Sequence, residues 1–308
     1  MDSDWLRHPK FVPIRDSVLD CLKAKEYIFR KIGRVLFLCG GQNSPRRDQL
    51  AEYFRLNHSE SSILFYAEDV WDIIAHHNPS RNALEVEAQL AELADAIIIV
   101  VESPGTFAEI GAFANSEPLR KKLLPILDEA KIGEKSFLKT GPITWIDKES
   151  LFAPSIWTCF ELDRILDAVK QIEDRLERIR VKKRTLLHNL LDSRKHLVFF
   201  VCDLVSIFGP CPIDHVNHYI HHVLGNTVSI DLPFLLGLNK GMGLLESFLI
   251  DGREMFYRPL KDGRIVTFHV AKKNINIPTL RTIVISSMLS CGPAQRALEQ
   301  MEAEHGTR

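Results

Sequence analysis

Residues Ile97-Ile98-Ile99-Val100-Val101 lead into Ser103-Pro104-Gly105-Thr106 and then into Phe107-Ala108-Glu109-Ile110-Gly111-Ala112-Phe113. Five consecutive β-branched apolar residues present no polar face, so a strand made of them is covered on both sides, as in a parallel sheet between helices. The Ser-Pro-Gly-Thr turn breaks the strand, and residues 107–113 have helical character. Strand, tight turn and helix bring backbone N–H groups and a helix N-terminus to the carboxyl edge of a sheet, where phosphorylated or sugar-bearing ligands bind in open α/β folds. Glu109 falls about one turn into that helix. Its carboxylate either points into the crevice and acts on a ligand, or caps the helix by reaching back to Thr106.

Two more strand ends point the same way. Residues 34–39 read as a strand ending in Gly40-Gly41, which lets backbone amides approach a phosphate or ribose closely, with Gln42 and Asn43 as further hydrogen-bonding groups. Residues 62–66 read as a second strand ending in Tyr66-Ala67-Glu68-Asp69. Asp69 there either orients a base amide or sugar hydroxyl or caps a helix starting near Val70. Helices are expected over 46–55 and 82–93, a fourth strand over 123–127 and an edge strand over 143–146. The strand–helix alternation predicts a doubly wound parallel sheet. Neither a G-x-G-x-x-G fingerprint nor a P-loop is present, so hydride-transfer and P-loop NTPase chemistry are not indicated.

Gly105-Thr106-x-x-Glu109 after a strand resembles two groups of N-glycosidic-bond enzymes, the nucleoside 2-deoxyribosyltransferases and the phosphoribohydrolases of the lysine-decarboxylase-like Rossmann family. Together with Phe37-Leu38-Cys39-Gly40-Gly41, Tyr66-Ala67-Glu68-Asp69-Val70-Trp71 and residues 102–113, in that order and spacing, the first half of the chain resembles the nucleoside deoxyribosyltransferase-like effectors of bacterial retron anti-phage systems. Residues 119–123 and 136–142 extend the match; the second half matches only in layout. The resemblance implies a toxin that cleaves the nicotinamide–ribose bond of NAD, with NAD as substrate and no cofactor. It also implies a winged-helix domain, and as partners a retron reverse transcriptase and its RNA–DNA hybrid in a higher-order assembly. Cleavage of such a bond passes through an oxocarbenium-like state, which a carboxylate beside C1′ stabilises or attacks. Glu109 takes that role and Asp69 assists, while Gly40, Gly41, Gln42, Tyr66, Glu68, Ser103, Gly105 and Thr106 hold substrate. Two alternatives stay open: a nucleoside or nucleotide N-glycosidase or deoxyribosyltransferase, and a non-catalytic nucleotide-sensing, nucleic-acid-binding regulator.

The expected organisation is a Rossmann-like domain over 1–155, a basic connector helix over 156–196 and a winged-helix-like α+β domain over 197–308. Residues 160–196 carry apolar residues at three- and four-residue spacing. Within them, residues 175–184 hold six basic side chains and one acidic one, either a solvated face or a contact for phosphates; Arg178, Arg180, Lys182, Lys183 and Arg184 are the candidates. In the last third, 213–223 and 241–250 read as helices, and 255–259 with 264–268 as a hairpin whose wing carries Arg258, Lys261 and Arg264. Overall net charge is −1, with the slight basic excess in the second half, so no global basic field marks a nucleic-acid binder.

His215, His218 and His222 share one helical face and, with His221, suggest a metal. No carboxylate stands at H-E-x-x-H spacing, so a polar surface without metal is expected. His76 and His77 fall in a loop near the expected crevice and take no assignment. The six cysteines form no C-x-x-C pair, residues 197–208 are too short and too interrupted by Asp203 to span a bilayer, and the N-terminus is charged. A reduced, cytoplasmic protein without a membrane partner is expected.

Overall fold

The structure is a computed structural model and describes residues 4–23, 27–30, 33–59, 61–70, 82–179, 185–225, 229–259, 267–270 and 277–305. It divides into two compact units, Ile32–Lys182 and Met1–Lys31 with Lys183–Arg308. The strands in chain order are β1 (Tyr27–Arg30), β2 (Arg34–Cys39), β3 (Ser62–Phe65), β4 (Ala96–Val100), β5 (Leu123–Asp128), β6 (Ile156–Thr158), β7 (Thr185–Leu187), β8 (Cys211–Pro212), β9 (Glu246–Ile250), β10 (Arg253–Tyr257) and β11 (Thr267–Val270).

The unit of residues 32–182 is built on a parallel five-stranded sheet in the order β3-β2-β4-β5-β6. Every residue of β4 is buried, which is why the sequence there has no polar position. One face carries Leu36, Leu38, Ile98, Val100, Leu124 and Ile126 against Leu50, Ala51 and Phe54 of helix Pro45–Asn57 and Ile165, Ala168 and Ile172 of the segment Leu162–Leu176. The other face carries Phe37, stacked on Phe65 at 5.0 Å and 6.4 Å from Phe113 of helix Pro104–Asn115. The chain leaves β2 towards β3 on one side and returns to β4 on the other. The crossovers therefore diverge at the carboxyl ends of β2 and β4 and leave a crevice, the usual ligand position in an open sheet of this order.

Residues 143–146 are not an edge strand: Lys139–Ile143 form a π-helical turn that runs into helix Thr144–Glu149, and Ile143 and Ile146 are buried at helical spacing. The four-residue run Ile-Thr-Trp-Ile is too short to distinguish the two periods. The edge strand is β6, paired with β5, so the sheet unit runs past residue 155. The single helix expected over 160–196 is several elements: a 3-10 segment Leu162–Ala168 continuing into helix Val169–Leu176, strand β7, and a 3-10 turn Leu190–Asp192. The apolar spacing there belongs to separate segments, each buried by its own neighbours. Arg180, Lys182, Lys183 and Arg184 lie outside the described residues, as do His76 and His77.

In the other unit, β1 pairs antiparallel with both β7 and β11, which joins the N-terminal 31 residues to the C-terminal part. Tyr27 and Ile28 belong to that strand. Helix Arg194–Phe208 is buried continuously from Val198 to Phe208, so its strongly apolar sequence is that of a central core helix. It is followed by β8, helix Ile213–Leu224, helix Leu232–Gly241 and the hairpin β9–β10, and the strands form an antiparallel sheet β8-β10-β9. The helix expected over 241–250 is thus replaced by a helix end and a strand, because Gly241-Met242-Gly243, with Gly243 at φ +66°, stops the helix. The hairpin of β9 and β10 turns at Asp251-Gly252, both in the left-handed region (φ +50° and +77°); the turn expected at 260–263, with Lys261 and Arg264, lies outside the described residues. Residues 267–270 pair with β1 instead of with β10. Among the described residues, no helix is long and apolar enough to cross a membrane.

Candidate active site

Three turns meet at the carboxyl edge of the sheet. The first follows β2. Gly41 donates its backbone N–H to Glu102 Oε1 at 3.2 Å, and Glu102 Oε2 pairs with Arg46 Nη1 at 2.9 Å, so Glu102 ties this turn to the end of β4. Gly40 accepts no side chain: a Cβ there would stand 2.8 Å from both Cβ and Cδ of Arg47.

The second turn follows β4. Ser103 caps helix Pro104–Asn115, its Oγ accepting the N–H of Thr106. Thr106 is wholly buried, its Oγ1 accepting the N–H groups of Glu102 and Ser103 at 3.1 and 3.0 Å and donating to the Ser103 carbonyl at 2.8 Å. The capping box is therefore made by Ser103 and Thr106, and Glu109 takes no part in it.

The third turn follows β3. Glu68 pairs with Arg47 Nη1 at 2.5 Å, and the guanidinium groups of Arg47 and Arg55 lie over the Tyr66 ring at 4.4 and 5.1 Å. The carboxyl of Asp69 is raised by desolvation, with Arg55 and a hydrogen bond from the Tyr66 backbone opposing. That bond reaches back over the first turn of the helix, as a capping carboxylate does.

These turns enclose a cavity of about 430 Å³ lined by Cys39, Gly40, Gln42, Glu68, Glu87, Ser103, Gly105 and Glu109, with Leu38, Val86 and Leu90 as its apolar wall. Glu109 stands in it with Oε2 buried and without a hydrogen-bond partner. Burial pushes its carboxyl up to about 7; the negative charges of Glu87 and Glu68 add to this, while Arg47 and a hydrogen bond from Cys39 oppose it. Burial, then Glu68, also raises Glu87. Burial, with Glu109 beside it, raises the Cys39 thiol well above its ordinary value, so it is held protonated and is not a nucleophile. A buried carboxyl with a free oxygen, facing glycine-lined turns and a helix N-terminus, can accept a developing positive charge or attack a carbon.

Of the residues singled out in sequence, Gly40, Gln42, Glu68, Ser103, Gly105 and Glu109 meet around this cavity. Gly41, Tyr66, Asp69 and Thr106 are not on its wall; the bonds above give Gly41, Tyr66 and Thr106 supporting positions behind it. Sequence reasoning overlooked Glu87, Cys39 and Glu102. Cys39 closes β2, a visible signal, but Glu87 sits within an acidic helix whose other carboxylates look the same.

The basic candidates are more occupied than expected. Arg178 donates to the carbonyls of Leu151 and Ala153, and Arg258 to Ser206 Oγ at 3.2 Å, away from the hairpin tip. His215 is fully buried, bonded to Asp4 Oδ1 at 2.7 Å and edge-on to Trp5, so the expected polar surface does not include it.

Residues 43–247 match the family model described as "STM3845 retron effector protein". The chain is 33% identical over 235 residues to the Escherichia coli protein named "Retron Ec73 putative ribosyltransferase/DNA-binding protein", covering 70% of this chain and 73% of that one. It is 40% identical over 117 residues to the correspondingly named Escherichia coli Retron Ec86 protein, covering 37% of this chain and 38% of the relative.

Proposed function

The chain belongs to the STM3845 family of retron effector proteins, and on that premise we propose that its sheet unit is an N-glycosidase that hydrolyses the nicotinamide–ribose bond of NAD, with Glu109 as the catalytic carboxylate. The observation that carries this reading is the unpartnered, buried Oε2 of Glu109 in a glycine-walled cavity at the switch point of the sheet. As the C1′–N bond breaks, its electron pair leaves with nicotinamide and positive charge grows on C1′ and the ring oxygen. The Glu109 carboxylate meets that charge or bonds to C1′. Water then completes the reaction at C1′ and releases one proton, giving ADP-ribose and neutral nicotinamide.

The charge of the cavity favours a cationic leaving group. Glu87 and Glu68 add to the cost of ionising Glu109, and a pyridinium ring beside them offsets that cost, driving Glu109 to the anionic form as substrate binds. A neutral nucleobase gives no such help and would require a proton donor. Gly40, Ser103 and Gly105 supply close backbone approach and a helix N-terminus for phosphate or ribose oxygens, and Gln42 an amide. Asp69, off the cavity wall, acts through the Tyr66–Glu68 turn.

For the other unit we propose a winged-helix-like module that docks the effector onto its reverse transcriptase–RNA–DNA complex. Three helices, a short strand between the first two and a terminal hairpin support it. The helix before the hairpin, Leu232–Gly241, buries Leu232, Phe234, Leu235, Leu236, Gly237, Leu238 and Asn239, so it has few side chains to offer base edges. That favours contacts to protein or to phosphates over base reading.

Purified chain, alone and with its retron complex, is incubated with NAD and assayed for nicotinamide. Release by wild type and a loss of at least about a hundredfold in Glu109→Gln are expected. Undiminished turnover in a folded Glu109→Gln protein would refute the assignment.

A further inference from the structure

The N-terminal helix Val12–Leu22 packs in the same unit as helix Ile213–Leu224, and their polar faces meet at a cluster that nucleotide chemistry does not use. His218 and His222 stand one helical turn apart on the second helix, and Asp16 faces them from the first. Each offers one donor atom, and the three atoms lie within 4.8 Å of one another.

We propose that Asp16, His218 and His222 form a binding site for a divalent transition-metal ion of the zinc type, which pins the N-terminal helix to the helix of the HVNHYIHH segment. Two imidazoles and a carboxylate suit Zn²⁺ and its neighbours and not Mg²⁺ or Ca²⁺, which prefer all-oxygen shells. Histidines at i and i+4 present both rings to one side of a helix, as chelation requires.

Three further observations point to a ligand. Nε2 of His218 is buried and has no hydrogen-bond partner, an open lone-pair site in a place where polar atoms are normally satisfied. His222 Nε2 is bonded to Asp20 Oδ1 at 3.0 Å, which leaves its other nitrogen for a metal; carboxylate, imidazole, metal is the usual order of such shells. Arg15 holds Asp16 Oδ1 at 2.7 Å, which leaves Oδ2 free.

Metal bonds of about 2.0–2.1 Å put tetrahedral donor atoms roughly 3.3 Å apart. The cluster therefore closes by about 1.5 Å at most, within reach of side-chain torsions, because Asp16 and His222 keep 40% and 22% of their side chains exposed. Three protein ligands leave one position for water.

The full chain, stripped with a chelator and dialysed, is titrated with ZnCl₂ by calorimetry and with CoCl₂ by visible absorption. One Zn²⁺ per chain and cobalt bands of tetrahedral intensity are expected. Asp16→Asn and His222→Ala, both at partly exposed positions and each checked for an unchanged metal-free melting profile, should each weaken binding by at least about tenfold, and Asp20→Asn by about tenfold through loss of the bond behind His222. Absence of stoichiometric binding by wild type, or wild-type affinity in Asp16→Asn and His222→Ala, would overturn the site.

Discussion

Removing the charge of Glu109 should stabilise the protein at alkaline pH while abolishing the proposed activity. The carboxyl is raised from 4.5 to about 7, with burial the largest cause. Between those values the folded protein holds a proton that the unfolded chain has already released, so stability falls as pH rises through this window. At about 1.4 kcal/mol per unit the full penalty is about 3 kcal/mol above pH 7; since Glu109 keeps some solvent contact, about 2–3 kcal/mol is the better figure. Glu109→Gln keeps the shape and removes the penalty. For a domain of this size a kilocalorie moves Tm by roughly 2–4 °C, so the variant should melt roughly 4–12 °C above wild type at pH 8 if the units melt separately. The advantage should shrink to under about 1 kcal/mol by pH 5, where Glu109 is protonated in the fold. Exchanging acid for amide adds a pH-independent offset, so the change of the difference with pH carries the test. Calorimetric or fluorescence melts of both proteins from pH 5 to 8 measure it. A difference that does not vary with pH, or that grows towards acid, would refute the burial of Glu109 beside Glu87 and Glu68. With loss of turnover in the same sample, the result would mark a carboxylate held at a cost in stability for its chemistry.

Glu87→Gln should lower the Glu109 pKa and move the acid limb of the activity profile to lower pH, because it removes the larger of the two neighbouring negative charges; a shift towards alkali would exclude the coupling. Thr106→Val leaves the N–H groups of Glu102 and Ser103 without their acceptor and should cost about 1–3 kcal/mol in urea unfolding, with any loss of turnover following from a displaced turn. Gly40→Ala drives a methyl into Arg47 and should cost about 1–3 kcal/mol while loosening the Glu68 pair; a neutral result would mean that Arg47 can retreat. Replacing Arg180, Lys182, Lys183 and Arg184 together by Ala should weaken binding to the RNA–DNA complex and flatten its salt dependence by roughly 0.7–0.9 in log–log slope per lost phosphate contact; unchanged affinity and slope would remove the segment from the interface.

The parts of this protein legible in its sequence are those decided by local patterning. Residues 97–100, without a polar position, lie in a buried parallel strand; Gly40 and the Ser103–Thr106 turn sit where strand ends and helix starts require them; and Glu109 follows one turn later. These signals are short-range, so residue order and spacing suffice. What the fold alone decided is long-range. Glu87 joins Glu109 only because helix Ala83–Leu93 packs across the strand ends, and the Glu109 carboxyl is pushed from 4.5 up to about 7 only through that packing and burial. Strand β1 joins residues 27–30 to residues 185–187 and 267–270, a pairing no local pattern announces, and so a boundary drawn at residue 155 differs from the observed units. The hairpin turn expected from sequence is at 260–263; the described hairpin turns at Asp251-Gly252, where Glu246–Ile250 and Arg253–Tyr257 have mutual partners to pair with. Asp16 lies some 200 residues before His218 and His222, and only the packing of two helices makes them neighbours. Propensity acts over a few residues, whereas charge coupling, ligand clusters and strand pairing depend on which distant segments are brought together.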